Sequence, residues 1–294
     1  AARPFTTHYN ALDADMYLRI SPELYLKRLL VGGMGKVFEI NRNFRNEGLS
    51  TQHNPEFTML ELYQAYADYE VMMEITEELI ATAAEAVGGA SALPFGDVQI
   101  DYAPPWRRAT YEDLLGEHAG VSLRDSTALR EKARQLGIEE SNKADAVVAN
   151  DVFDLTVEKT LIQPTFVMDY PAELCPLTRR KDDDPSLALR FELYIAGMEI
   201  ANAYTELNDP AVQEANFASL LAGEADDETM RVMDEDFLTA LRHGMPPAGG
   251  LGIGIDRVVM LLTNRLSIRD VILFPMLRPQ RGTEDESAEP APPK

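Results

Sequence analysis

Two runs of alternating residues, joined by a polar loop that contains glycine, most constrain how this chain can fold. They lie between Phe38 and Tyr63, in the sequence FEINRNFRNEGLSTQHNPEFTMLELY. Side chains two positions apart share one face of a strand, so the pattern predicts a β-hairpin over about residues 36–64. One surface of this hairpin would carry charged and aromatic side chains together, namely Arg45, Glu47, Phe57, Glu61 and Tyr63.

This mixed surface allows two interpretations. Alternating charges usually mark an outer sheet face that carries cross-strand ion pairs. In the second run, however, Glu61 and Tyr63 stand among apolar residues such as Met59 and Leu62. A carboxylate in so apolar a segment needs a cationic partner. The second run therefore favours a cleft for a small molecule that carries a flat ring, a phosphate and an ammonium group.

A second hairpin is predicted over residues 187–194 and 198–206, turning at Ala196 and Gly197. Glu192 and Glu199 flank this turn, and two converging carboxylates suit a hard divalent ion such as magnesium. Two solvated carboxylates at a turn are the commoner explanation. Glu199 and Glu206 also differ in strand parity, so both can face one cleft only if a bulge or strong twist intervenes.

The segment GGLGIGIDRVVMLL, residues 249–262, combines a glycine-rich strand with the start of an apolar helix. Missing side chains let a ligand or another backbone approach the strand closely, although glycines kept small for packing would look the same. Arg257 stands at the helix N-terminus, where a cation is costly unless an anion binds there. The glycine spacing does not fit a dinucleotide-binding fold.

The rest of the chain reads as a mixture of helices and short strands. A helix should begin with Ser21 as N-cap and Pro22 in the first position, and a long amphipathic helix should run from Asp68 to Gly88 and Gly89. The remaining predicted features are a strand and a helix start in 97–114, a helical insertion at about 116–160, a buried strand in LIQPTFVMDYP, helices in 210–243 and a disordered acidic tail at 281–294.

Composition limits the classes of function. The 294 residues suffice for one or two domains, and no apolar run approaches the roughly 20 residues that a membrane helix needs. The single cysteine, Cys175, excludes an internal disulfide and a multi-cysteine metal site, which weakly favours the cytoplasm. A net charge of −22 argues against a general nucleic-acid surface, so any RNA contact should be local.

Four segments together resemble the class II aminoacyl-tRNA synthetases, and within them the lysyl-tRNA synthetases. The first hairpin is similar to the second signature motif of that family, and GLGIGIDRVVMLLTNRLSIRDVILFP is similar to its third motif. LIQPTFVMDYPAELCPL and GMEIANAYTELNDP are similar to connecting segments of the lysyl enzymes. The resemblance covers about residues 1–280 and implies an α+β fold, in which helices flank an antiparallel sheet and a helical insertion separates the motifs.

The resemblance also implies a role for each candidate residue. Arg45 and Arg257 would be catalytic, with Arg45 holding the α-phosphate and the amino-acid carboxylate. Phe57 and Arg257 would enclose the adenine ring of ATP, while Glu47 and His53 would lie at the adenosine and the phosphates. The implied magnesium ligands are Glu192 and Glu199. Gln52 stands where the family usually carries arginine, which would weaken a phosphate contact.

The implied amino acid is lysine, whose ε-ammonium needs desolvated carboxylates and a hydroxyl. Its implied ligands are Glu23, Glu61, Tyr63, Asn202 and Glu206, with Glu23 on the α-ammonium and Asn202 on the carboxylate. An enzyme for aspartate or asparagine would need a cation or an amide donor there instead. The expected enzyme is a cytoplasmic ligase of protein biosynthesis that uses ATP and Mg²⁺ to join lysine to tRNA(Lys), with no role for DNA or a membrane.

The resemblance leaves some expectations open. The first class II motif, which carries the homodimer contact of the family, and the N-terminal anticodon-binding domain would both precede Ala1. Dimer formation and RNA affinity are therefore uncertain. A paralogue that attaches a lysine-like amino acid to a protein lysine and a catalytically inactive module that binds lysine or RNA are the alternatives to a synthetase.

Overall fold

A computed structural model of the protein describes residues 3–89, 91–222 and 233–277. The predicted tail, and the middle of the segment predicted as helical at 210–243, lie outside these residues. Eleven strands are described: β1 Thr6–Tyr9, β2 Ala14–Tyr17, β3 Lys36–Phe44, β4 Glu56–Ala65, β5 Ala92–Phe95, β6 Val98–Asp101, β7 Arg107–Thr110, β8 Thr165–Met168, β9 Arg190–Ile195, β10 Met198–Thr205 and β11 Ala248–Gly254. The described α-helices are α1 Glu23–Val31, α2 Tyr69–Gly88, α3 Tyr111–Ala119, α4 Ser126–Gln135, α5 Asp145–Thr156, α6 Pro210–Ala222, α7 Glu235–Gly244 and α8 Ile255–Leu262.

Seven strands form one sheet in the order β3-β4-β11-β10-β9-β8-β7. Each neighbouring pair is antiparallel except β7 and β8, which are parallel. The glycine-rich β11 lies between the two predicted hairpins, because it pairs with β4 on one side and β10 on the other. This topology brings the three sequence motifs to one sheet and confirms the α+β expectation.

The first predicted hairpin is confirmed as β3 and β4. Glu39 pairs with Glu61 and Asn43 pairs with Phe57, so the polar face of β3 and the Phe57–Tyr63 face of β4 form one surface. Arg45 lies one residue beyond the end of β3 at Phe44, where its backbone N–H donates to the carbonyl of Pro55. This bond keeps Arg45 beside β4 although the strand ladder has ended.

The second predicted hairpin is also confirmed, with a later start at Arg190 than expected. Ala196 and Gly197 have φ of 53° and 68°, the left-handed values that a tight two-residue hairpin turn requires. The β9–β10 register shifts between Glu199 and Ala201. This bulge supplies the change of parity that the sequence required for Glu199 and Glu206 to face the same side.

Two helix predictions differ in their accuracy. Helix α2 has the expected caps, because the Asp68 side chain accepts from two backbone N–H groups and Gly89 adopts a φ of 65°. Helix α1, by contrast, begins at Glu23 rather than Pro22. Pro22 is the N-cap residue, and the Ser21 hydroxyl accepts from the Glu23 N–H. The proline is thus the half-helical residue that precedes the first turn.

The core has three parts that hold the sheet on both sides. Helices α2 and α8 pack against the central strands around residues such as Met72 and Met260, and α1 packs with α7 around Leu30 and Phe237. Helices α3 to α5 form a separate cluster around Phe153 with β8 and β9. Helices occupy the expected insertion, while its status as a subdomain stays a prediction.

Candidate active site

The residues predicted to bind a nucleotide line one open cleft of about 830 Å³ between β4, β10, β11 and the start of α8. The predicted residues in its wall are Arg45, Glu47, His53, Phe57, Glu199, Asn202 and Arg257. Gln52 lines it as well. Residues from both hairpins and from the glycine-rich segment therefore meet in one place.

Arg45 lies against the aromatic wall of this cleft. Its guanidinium carbon is 5.1 Å from the centre of the Phe57 ring, a cation–π distance. Its Nε is 3.5 Å from the carbonyl oxygen of Ile20, and Nη2 is 3.8 Å from the Met59 sulfur. These are weak protein partners for five N–H donors, so the guanidinium can bind an anion without losing a strong ion pair.

Arg257 projects from the first turn of α8 and also lines the cleft. Nη1 donates to the backbone carbonyl of Glu199 at 2.5 Å, and Nη2 lies 3.0 Å from His53 Nε2. An arginine can only donate, so Nε2 of His53 must accept and its proton must lie on Nδ1, 2.8 Å from the Ser50 hydroxyl. Burial and the charge of Arg257 lower the pKa of His53 and keep the ring neutral.

The glycines of β11 give depth to the cleft and to a smaller pocket beside it. Gly252 and Gly254 line the cleft, and a Cβ at Gly252 would come within 3.2 Å of the Met59 methyl group. A Cβ at Gly250 would collide with Glu206 Oε1 and with the Tyr63 ring. The glycine at 250 is thus required because an acidic side chain and an aromatic ring occupy the space that its side chain would fill.

A second, smaller pocket of about 410 Å³ adjoins the cleft. The two share Arg45, Met59, Asn202 and Gly252 as lining residues. The remaining residues of its wall are Ser21, Glu23, Glu61, Tyr63, Tyr204, Gly250 and Leu251. We call this space the acidic pocket. Its predicted residues come from α1, β4 and β10; β11 lies between the two strands, and α1 packs on β4.

Each carboxylate of the acidic pocket has protein partners. Glu61 accepts from the Ser21 hydroxyl at 2.7 Å and from the Tyr63 hydroxyl at 3.0 Å. Burial, together with the charge of Glu23, raises the pKa of Glu61 to about 7. Tyr204 donates its hydroxyl to Glu23 Oε1 at 2.5 Å. The pocket therefore holds its acids in fixed positions before any ligand binds.

Glu206, which was also predicted to bind lysine, is not in the wall of the acidic pocket; it is 1% exposed and lies behind Gly250. Burial raises the pKa of Glu206 to about 8, although the ammonium of Lys27 opposes this shift. Lys27 Nζ lies 2.5 Å from Oε2, while Oε1 has no hydrogen-bond partner among the described residues. A buried acceptor without a partner is costly, so Oε1 is suited to a cationic ligand.

Lys27, which is 1% exposed and lies between Glu23 and Glu206, was not among the residues predicted from the sequence. One signal could have revealed it. Lys27 follows Glu23 by four residues, the spacing that places two side chains on one face of a helix, and that face is otherwise apolar. Asp256 was also missed. It lines the cleft and accepts from the Thr58 backbone N–H at 2.7 Å, which joins α8 to β4.

The predicted metal pair is placed differently from expectation. Glu199 lines the cleft and accepts from Asn202 Nδ2 at 3.2 Å, but Glu192 pairs with Asn202 across the strands and does not line the cleft. The carboxylate of Glu192 is already bound by Arg190 and by the hydroxyls of Tyr170 and Tyr194, both at 2.8 Å.

Within residues 3–89, 91–222 and 233–277, no three His, Cys, Asp or Glu side chains form a metal-binding group. A magnesium ion at Glu199 would therefore take most of its ligands from a nucleotide and water. Whether Glu192 contributes to metal binding stays a prediction.

Comparison with known proteins decides among the families that could carry such a site. The family described as tRNA synthetases class II (D, K and N) matches residues 1–278. The chain belongs to this family. Its sequence motifs and its mostly antiparallel sheet agree with that membership.

Among the class II synthetases, the chain is similar to proteins named lysine–tRNA ligase. It is 57% identical over 287 residues to one from Pelotomaculum thermopropionicum, a match of 95% of this chain and 57% of the relative. Similar proteins from Carboxydothermus hydrogenoformans and Clostridium tetani are 56% and 54% identical, over 95% of this chain and 58% and 57% of their own lengths. The chain thus spans under three fifths of these class II relatives.

None of the helices in the part of the chain that the structure describes has the length and apolar content needed to cross a bilayer.

Proposed function

We propose that this chain is the catalytic part of a lysine–tRNA ligase, which activates lysine with ATP and transfers the lysyl group to tRNA(Lys). Residues 1–280 would form the catalytic domain, with a helical insertion at about 116–160. One observation carries the proposal. A buried acidic pocket opens directly into a cleft whose walls carry Arg45 and Arg257.

The charges of the acidic pocket favour lysine over the other amino acids that the family name indicates. An aspartate side chain would meet the carboxylates of Glu61 and Glu23, because Arg45, which lines both spaces, would hold the carboxylate of the amino acid. Lys27, the ammonium buried beside the pocket, is already paired with Glu23 and Glu206. The unpartnered Glu206 Oε1 and the Tyr63 hydroxyl suit an ε-ammonium, and Glu23 suits the α-ammonium.

The positions of Arg45 and Arg257 support an in-line displacement. Arg45 borders both spaces, so it can hold the lysine carboxylate against the α-phosphorus of ATP. A carboxylate oxygen forms the new bond to the α-phosphorus, and the bond to the β-phosphate oxygen breaks to release pyrophosphate. The two guanidiniums offset the charge that develops on the phosphoryl oxygens, while Phe57 stacks on the adenine ring. Glu47 and neutral His53 lie beside this path.

Magnesium fits at Glu199, which lines the cleft, and its binding would neutralise phosphate charge. Glu192 could join it only if Arg190 or one of the two tyrosine hydroxyls released a carboxylate oxygen. The RNA contact would be local, given the net charge of −22. A cytoplasmic location and a homodimer complete the proposal.

The deciding experiment is amino-acid-dependent exchange of pyrophosphate into ATP by the purified protein. Lysine should support the exchange, and aspartate and asparagine should not. Exchange with aspartate or asparagine instead of lysine would overturn the proposal. In a second step, labelled lysine should appear on tRNA rather than on protein. Acylated protein without acylated tRNA would favour a protein-modifying paralogue, and no exchange with any of the three amino acids would favour an inactive binding module.

A further inference from the structure

Lys27 is a cation buried beside the acidic pocket. It lies on the buried face of α1, and its Nζ is 2.5 Å from Glu23 Oε1 and 2.5 Å from Glu206 Oε2. The same Nζ lies 5.9 Å from the centre of the Tyr63 ring and 5.4 Å from that of the Tyr204 ring. The ammonium is therefore enclosed by groups from α1, β4 and β10, the elements that form the pocket.

The charges that surround Lys27 come from few groups. Glu23, Glu206 and the two tyrosines face it directly, and Glu61 interacts with it through charge without a hydrogen bond. Burial disfavours the ammonium, but the carboxylates of Glu206 and Glu23 outweigh it and raise the pKa of Lys27. Lys27 consequently stays charged near neutral pH.

The numbers of charges suggest a role for this arrangement. Counted formally, the carboxylates of Glu23, Glu61 and Glu206 and the ammonium of Lys27 sum to −2 once a bound cation has displaced the protons that burial retains on Glu61 and Glu206. This charge matches the two ammonium groups of one lysine, while Arg45, which also lines the pocket, matches its carboxylate. Lys27 occupies only one oxygen of Glu206, so the other oxygen remains directed towards Gly250. A cation that held both oxygens would leave no acceptor, and no cation at all would leave Glu206 easier to protonate.

We propose that Lys27 is a specificity-determining positioning residue, whose ammonium fixes Glu206 and Glu23 and so adjusts the pocket to an amino acid with two ammonium groups. This inference rests on the proposed activation of lysine and adds a residue to it. The opposing view is that Lys27 forms a buried ion pair that serves the fold alone, which an apolar residue of similar size could replace.

Lys27→Met tests the proposal because methionine keeps an unbranched side chain, shorter than lysine by one atom, and removes its charge. Without the ammonium, Glu206 should remain protonated and should no longer distinguish an ammonium from a methyl group. We expect the preference for lysine over norleucine in pyrophosphate exchange to fall about tenfold or more, mainly through the KM for the amino acid. The KM for ATP should change less than about twofold. A folded Lys27→Met protein that keeps the full preference for lysine would overturn the proposal.

A matched control and a second variant separate charge from folding. Lys181→Met removes the part-buried ion pair of Lys181 with Asp169, at 2.8 Å, outside both spaces and should leave the preference unchanged. The double variant Lys27→Met/Glu61→Gln loses one ammonium and one carboxylate, so its formal charge is again −2. The carboxylate that it loses, on Glu61, is not bonded to Lys27. We expect it to bind lysine better than Lys27→Met does. If the double variant loses as much affinity for lysine as the two single variants lose together, Lys27 has a structural role only, which would contradict the proposal.

Two safeguards keep the outcomes distinct. If Lys27→Met does not fold, the double variant is compared with Glu61→Gln alone, and an equal preference for lysine in these two proteins would contradict a role for Lys27 in specificity. If the unaltered protein shows no lysine-dependent exchange, the proposed function fails. Calorimetric binding of lysine and norleucine to the same variants then tests Lys27 independently, with the same expected loss of preference.

Discussion

The open cleft and the acidic pocket differ in the sign and the burial of their charged side chains. In the cleft, Arg45 and Arg257 are partly exposed and make mostly weak or backbone contacts. At the acidic pocket, Glu61 and Glu206 are almost fully buried, and Lys27 is buried with them. The cleft presents its cations to a ligand, whereas at the pocket the ammonium of Lys27 offsets only part of the carboxylate charge.

The difference suggests how one surface can accept two unlike ligands. A nucleotide brings several negative charges, which partly solvated guanidiniums can bind at little cost. A free amino acid is small, so its recognition depends on buried groups that are costly when left unpaired. We therefore expect changes in the cleft to affect the rate and changes in the pocket to affect the choice of amino acid.

The largest effect should come from Arg257→Ala. Its guanidinium would stabilise charge that develops in the transition state, so the rate of lysine-dependent exchange should fall about 10²–10³-fold. The lost bonds to the Glu199 carbonyl and to His53 should lower the free energy of unfolding by only about 1 kcal/mol each. Arg42→Ala is the control, because Arg42 forms an exposed ion pair with Glu56. Unchanged exchange by Arg257→Ala would show that the cleft does not act on the phosphates.

Gly250→Ala should disturb the packing of the acidic pocket and leave the cleft unchanged. The new methyl group would displace Glu206 Oε1 and the Tyr63 ring, lowering the free energy of unfolding by about 1–3 kcal/mol and raising the KM for lysine. Gly35→Ala is the matched control, since no atom lies within 4 Å of a Cβ there. Thermal denaturation and exchange kinetics check both effects. Equal behaviour of the two variants would contradict the described packing.

The pH dependence should distinguish the acidic pocket from an ordinary carboxylate surface. The pKa of Glu61 is raised to about 7 and that of Glu206 to about 8, so the folded protein holds protons that the unfolded chain releases at lower pH. Their contribution to stability is present below about pH 4.5 and is lost as the pH rises through these values. Lysine binding should release protons and should raise the Tm more at about pH 8.5 than at about pH 6. An equal rise in Tm at both pH values would contradict the raised pKa values of Glu61 and Glu206.

The smallest predicted effect belongs to Gln52→Arg. Gln52 lines the cleft, where an added guanidinium could bind a terminal phosphate. An exposed pair of this kind contributes about 0.5–1 kcal/mol, so the KM for ATP should fall roughly two- to fivefold while the KM for lysine stays constant. A lower KM for lysine with an unchanged KM for ATP would contradict the position of Gln52 in the nucleotide cleft.

The sequence predicted most of the sheet because periodicity and turn residues are local signals. The two hairpins, the caps of α2 and the need for a bulge near Glu199 follow from spacing alone. Lys27 was missed because its partner Glu206 is 179 positions away, and no local pattern records that contact. The contacts of Glu192 were missed for a similar reason, since Tyr170 reaches it from a separate segment.

The most direct test of the division between the two spaces is exchange kinetics of Glu206→Gln, with lysine and ATP varied in turn. The substitution keeps the size of the side chain and removes its charge. We predict that the KM for lysine rises about 10²-fold while the KM for ATP changes less than about twofold. Equal increases in both constants would contradict the account, because they would show that Glu206 does not serve the amino acid in particular.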